Sequence, residues 1–103
     1  MVGLQVRESP LVQASDEVIA WDFNWHDRLE GQSLVTASAF VVQVNNGVDE
    51  SATCLAFAPT IFGEIVTVVV KSLTPTKRYR VTARAQFSGG SIQDADLLLE
   101  VPH

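Results

Sequence analysis

From Tyr79 to Phe87 the chain alternates without a break. Tyr79, Val81, Ala83, Ala85 and Phe87 are apolar or aromatic, and Arg80, Thr82, Arg84 and Gln86 between them are polar. Successive side chains on a strand point to opposite faces, so a period of two describes a half-buried strand with a dry inner face and a wet, basic outer one. Such a strand must bury its apolar face under a second layer. The residues that follow narrow the choice further. Ser88-Gly89-Gly90-Ser91 supplies a hairpin turn, and Ile92 to Val101 returns with Leu97, Leu99 and Val101 facing in.

The rest of the chain fits an all-β plan. Val18 to Trp25 places Ile19, Trp21, Phe23 and Trp25 on one face and Val18, Ala20, Asp22 and Asn24 on the other. Glu30-Gly31-Gln32-Ser33 is a turn. Leu34 to Val44 is a second strand region, with Phe40, Val42 and Val44 alternating against Val41 and Gln43. Asn45-Asn46-Gly47 is a reverse turn, because Asn and Gly tolerate positive φ. Thr53 to Ala58 is a short apolar run ended by Pro59. Ile61-Phe62-Gly63 suggests a loop or bulge with an inward aromatic, and Glu64 to Ser72 is dense in β-branched residues, as strands are. Residues 1–15 contain Pro10 and no sustained period, which predicts an extended N-terminal arm ahead of a single domain over 16–103.

About six or seven short antiparallel strands, with no helical period, leave a sandwich or a small barrel. Tyr79 separates the two. In sandwich domains a Tyr near the start of one strand sends its hydroxyl back to the backbone a few residues upstream and pins the connection between sheets. Here Leu73 and Pro75 shape that connection. The pattern Leu73-x-Pro75-x-x-x-Tyr79-x-Val81-x-Ala83 looks like that of fibronectin type III domains. The expected fold is therefore an immunoglobulin-like or fibronectin type III-like β-sandwich, with Trp21, Phe23, Trp25, Tyr79 and Val81 in its core.

Bulk properties exclude several classes. A chain of 103 residues is one domain by length, and its 47% hydrophobic and 18% charged residues argue against disorder. The single cysteine, Cys54, rules out an intrachain disulfide and favours folding in a reducing compartment. No run of eighteen apolar residues occurs, so no transmembrane helix is expected, and Arg7 and Glu8 interrupt any signal-like start. A net charge of −5 weighs against nucleic-acid binding through phosphates. Residues 1–64 hold two basic and nine acidic side chains, and residues 65–103 hold five and three. That asymmetry is either ordinary surface charge or the mark of a subunit with unlike faces that packs head to tail.

Catalytic chemistry finds little support. Asp22, Asn24 and His26 share a strand face beside Asp27, but strand neighbours at this spacing diverge by about 6–7 Å, and no second His motif closes a metal shell. Cys54 lies in the apolar run Thr53 to Ala58, where a buried, inert thiol is expected. No triad spacing, Gly-rich phosphate loop or calcium loop is present. Asp16-Glu17, Asp49-Glu50 and Asp94/Asp96 occupy turn or edge positions, where carboxylates aid solubility. No active site, cofactor or metal site is expected. Two binding features remain. Trp21 and Trp25 are either core or an exposed platform for sugar. Arg80, Thr82 and Arg84 are either a solvated face or a contact surface for an acidic neighbour.

Taken together, these segments resemble a small family of tailed-bacteriophage proteins, the fibre–tail adaptors and tail structural proteins. That family's pattern is an acidic lead into an aromatic strand, tyrosine-x-hydrophobic-Asp-Trp-Ser-x-x-Leu, and then Gly-x-x-Ile/Leu. Trp21-Asp22-Phe23-Asn24-Trp25-His26-Asp27-Arg28-Leu29 through Gly31 to Leu34 stands in that place here. Its closing segment, a Tyr-x-Val-Thr strand, a small Gly turn and an acidic, leucine-rich strand, is similar to Tyr79-Arg80-Val81-Thr82, Ser88-Gly89-Gly90 and Asp96-Leu97-Leu98-Leu99-Glu100-Val101. The match runs in outline over 16–101 and lapses between Asn46 and Phe62. Asn24 replaces the family's Asp and His26 its Ser.

The resemblance implies a non-enzymatic virion subunit, assembled in the host cytoplasm. It would work in several copies, joining a tail tube, baseplate or nozzle protein to a fibre or spike. Capsid decoration or head–tail connection is a close variant, and a carbohydrate- or cell-surface-binding module is a different class. Candidate inter-subunit contacts are Arg7, in the arm, with Arg80 and Arg84.

Overall fold

The computed structural model describes residues 11–102, and these build two facing sheets. Seven strands occur in the order β1 (Leu11–Val12), β2 (Ile19–Asn24), β3 (Leu34–Gln43), β4 (Thr60–Phe62), β5 (Ile65–Val70), β6 (Arg78–Phe87) and β7 (Ile92–Glu100). One sheet has the order β1-β7-β6-β3 and the other β2-β5-β4. The expected all-β sandwich is thus the fold. One pairing departs from the antiparallel expectation: β1 runs parallel to β7, with Leu11 opposite Leu99 and Val12 opposite Glu100.

Each inner face is the apolar set that alternation predicts. Val81, Ala83 and Ala85 on β6, Leu97 and Leu99 on β7, and Val66, Val68 and Val70 on β5 are buried, with Phe23 and Trp25 filling the space between the sheets. Trp25 meets Phe87 edge to face at 5.8 Å between ring centroids, which ties the end of β2 to the far sheet. Trp21 shares that face but is only half-buried, because it sits toward the side of the layer where the first strand arrives.

Turn chemistry sets the hairpins. Gly90 at φ +97° closes the β6–β7 turn, and Gly89 lies so close to Gln32 that an added Cβ would stand 2.5 Å from Oε1. The β5–β6 connection crosses between the sheets and holds the tyrosine corner. Leu73 is buried beneath it, and the Thr74 backbone N–H donates to the Tyr79 hydroxyl at 3.0 Å. Tyr79→Phe removes that acceptor while keeping the ring. It should cost about 1–3 kcal/mol, the range for a lost hydrogen bond with one partner stranded, measured by urea unfolding.

Four expectations need correction. The absence of a helical period does not keep the chain free of helix: one turn, α1 (Ser51–Cys54), leads into the apolar run Thr53 to Ala58 and carries Cys54 inward. Phe62 is not an inward loop aromatic. It belongs to β4, and the pairing of Ile61 with Val66 and Phe62 with Ile65 turns Ile61 toward the core and leaves Phe62 86% exposed. His26 has left the strand for a single 3-10 turn, His26–Arg28, so it does not continue the face of Asp22 and Asn24.

The fourth correction concerns the arm. Leu11 to Gln13 are part of the sandwich. The buried Gln13 side chain donates to the carbonyls of Val70 (2.7 Å) and Glu17 (3.1 Å), accepts the indole N–H of Trp21 (2.8 Å), and its backbone N–H donates to Glu100 (3.1 Å). One residue therefore bridges both sheets. Residues 1–10, including Arg7, lie outside the described residues.

Candidate docking interface

Strands β3, β6 and β7 form the broadest flat surface, because β3 and β6 are ten residues long and β7 nine. The outer row of β6 faces solvent, and across the β6–β7 hairpin it meets an acidic row. Arg78 stands opposite Glu100, Arg80 opposite Leu98, Thr82 opposite Asp96, and Arg84 opposite Asp94. Three of these four steps are closed by side chains. Arg78 contacts Glu100 at 3.0 Å, and the Thr82 hydroxyl donates to Asp96 at 2.7 Å. Arg84 grips Asp94 through Nε and Nη2 at 2.8 and 3.1 Å and lies 5.1 Å over the Phe40 ring.

That pairing separates the two candidate arginines. Arg84 is already committed: its hydrogen bonds hold the Asp94 carboxyl below the usual carboxylate range. Arg80 has no carboxylate partner among the described residues and is flanked across the strands by Val42 and Leu98, both half-buried. A shallow depression of about 210 Å³ lies beside Arg84, lined also by Thr36, Ala37, Ser38, Gln86 and Ile92. The cations counted in the last third of the chain thus do not gather into one basic face, because two of the five pair within the hairpin. Counting outward from the Gly-Gly turn would have revealed these pairs in the sequence, since a hairpin's loop fixes its register.

The chemistry-bearing groups elsewhere are occupied structurally. Asp22 accepts from Thr67, Asn24 accepts the His26 backbone N–H, and His26 Nδ1 lies 2.8 Å from Glu64. That contact raises the His26 pKa from its ordinary value. Burial pushes the Cys54 thiol up to about 11. Among the described residues, no three His, Cys, Asp or Glu side chains group to hold an ion, and no helix is long and apolar enough to cross a membrane. Trp25 is fully buried, and the half-buried Trp21 spends its N–H on Gln13, so the two do not form an exposed aromatic platform.

Two facing sheets, one with a self-paired outer face, define a β-sandwich. A family model described as Gp77, podophage GP4 fiber-tail adaptor protein gp77, matches residues 13–100, and the chain belongs to that family. Membership makes it a bacteriophage tail structural protein of the adaptor type, and so a virion component. No curated protein matches the chain.

Proposed function

We propose that this protein is a non-enzymatic docking subunit, used in several copies, that joins a tail tube, baseplate or nozzle component to a fibre or spike. Family membership supports the setting, and the β3-β6-β7 face supports the mode of action. We also read the sandwich as immunoglobulin-type. The orders β2-β5-β4 and β3-β6-β7 parallel the B-E-D and C-F-G groupings of that fold, and Tyr79 occupies the corner position.

The observation that carries the docking role is the isolation of Arg80. Paired neighbours stiffen the surface around it, and the half-buried Val42 and Leu98 would exclude water once a partner arrives. An arginine desolvated at the centre of an interface contributes far more than a rim charge. The fitting partner offers a carboxylate within an apolar surround. Arg80→Glu should weaken binding to the adjoining tail or fibre protein by at least tenfold with an unchanged melting temperature. Arg84→Glu should mainly perturb the hairpin. Undiminished partner binding by Arg80→Glu, measured by sedimentation of the complex, would remove Arg80 from the interface.

A further inference from the structure

The sheet β1-β7-β6-β3 ends on β3, and the first half of that strand is an open edge. Beyond it, the N–H groups of Val41 and Gln43 point away from β6, to Ser51 Oγ and the Val48 carbonyl, whereas the Val44 N–H turns toward Arg78. Alternation then directs the backbone groups of Ala37 and Ala39 outward along the same edge. Among the described residues nothing pairs with them there. Other edges carry protection: β2 has Asp22, the part of β7 beyond the two-residue β1 has Asp94 and Asp96, and β4 is three residues long beside Pro59. The stretch Leu34–Phe40 has no charge and no proline, only a bulge at Val35. Natural edges of this kind are usually blunted or filled. Leu34, Ala37 and Ile61, apolar but only partly buried, lie against the core along this side.

We propose that this edge receives residues 2–7 of a second copy of the chain as an added strand. This rests on the reading of the protein as a multi-copy subunit. The segment Val2-Gly3-Leu4-Gln5-Val6-Arg7 alternates apolar with glycine or polar residues, and its six positions match the six from Val35 to Phe40. Added strands gain affinity from main-chain bonds and specificity from alternate side chains, so Val2, Leu4 and Val6 would cover Leu34, Ala37 and Ile61.

Geometry excludes the donor's own β3. The segment leaves from β1, at the opposite edge of the same sheet, and only residues 8–10 connect it to Leu11. The four backbone steps from residue 7 to Leu11 span at most about 14 Å. Four strand spacings, roughly 19 Å, separate β1 from a strand added beyond β3. Donor and acceptor therefore sit on opposite edges of one subunit, a heterologous arrangement that propagates head to tail and forms a ring where the rotation between copies closes.

Full-length Leu4→Cys and Ala37→Cys variants, mixed under mild oxidation, test this. The expected product is a disulfide between residue 4 of one chain and residue 37 of another, and the double variant should give covalent oligomers. Ala39→Pro removes one outward N–H without breaking the β3–β6 ladder. It should abolish self-association while leaving tryptophan fluorescence native. A double variant that yields only an intrachain bond overturns the proposal. Multi-copy assembly seen by sedimentation without the cross-link overturns the added strand alone. A chain that stays a single copy at millimolar concentration and forms no cross-link overturns the multi-copy reading as well.

Discussion

Replacing Trp25 with alanine should cost about 3–5 kcal/mol, the range for emptying a buried aromatic site. That is a large part of the 5–15 kcal/mol that holds a typical domain folded. Trp25 is fully buried, packs edge-on against Phe87 at 5.8 Å, and has the Arg28 guanidinium 5.2 Å above its ring. It closes the end of the sandwich where β2 stops, and its backbone N–H extends the β2–β5 ladder through the Glu64 carbonyl. Its indole N–H is buried with no acceptor, so Trp25→Phe should lose much less, on the order of 1 kcal/mol, as lost volume is partly offset by removing a stranded donor. Urea unfolding followed by Trp21 fluorescence would measure both. Equal losses for Ala and Phe would mean that the ring's packing is not what holds this end together.

The contrast between β6 and β3 shows how much the sequence could disclose. On β6 every inner residue is apolar and every outer one polar, so the period of two is complete and the strand, its faces and its core members are legible. The Tyr79 corner was legible for the same reason, because the residues that shape it lie within one short segment. On β3 the apolar Phe40 and Val42 sit on the outer face, while the inner face takes Ala37, Ala39, Val41 and the polar Gln43, so hydropathy gives no guide to direction. Phe62 misleads because one aromatic beside a glycine has no period; the β4–β5 register alone sets its side. The proposed docking face was half legible. Alternation exposed Arg80 and Arg84, but their difference depends on the register that pairs Arg84 with Asp94 and leaves Arg80 facing Leu98. Gln13 left no signal, since a polar residue between Val12 and Ala14 carries no local mark of burial.

Gln13 is for that reason the most informative residue to change. Leucine in its place keeps the bulk and removes every side-chain bond. The Val70 and Glu17 carbonyls lose their donor and the Trp21 N–H its acceptor. A stranded buried polar group costs about 1–3 kcal/mol, and Glu17 and Trp21 can recover part of theirs from water, so a total near 2–4 kcal/mol is expected. Gln13→Glu tests the mechanism more sharply. A carboxylate still accepts from Trp21 but faces two carbonyls, which raises its folded-state pKa above that of the unfolded chain. The penalty is then small at pH values below the unfolded carboxyl pKa, where the folded group is protonated and donates one bond. It grows as pH rises through that range. The variant should therefore be more stable at pH 4 than at pH 7 relative to the parent protein. Amide exchange should also quicken at Leu11 to Gln13, because the clamp between the sheets holds the first strand on β7. Parent-like stability of Gln13→Glu at neutral pH would show that the two sheets do not depend on this side chain. The first strand would then be held by its β7 pairing alone.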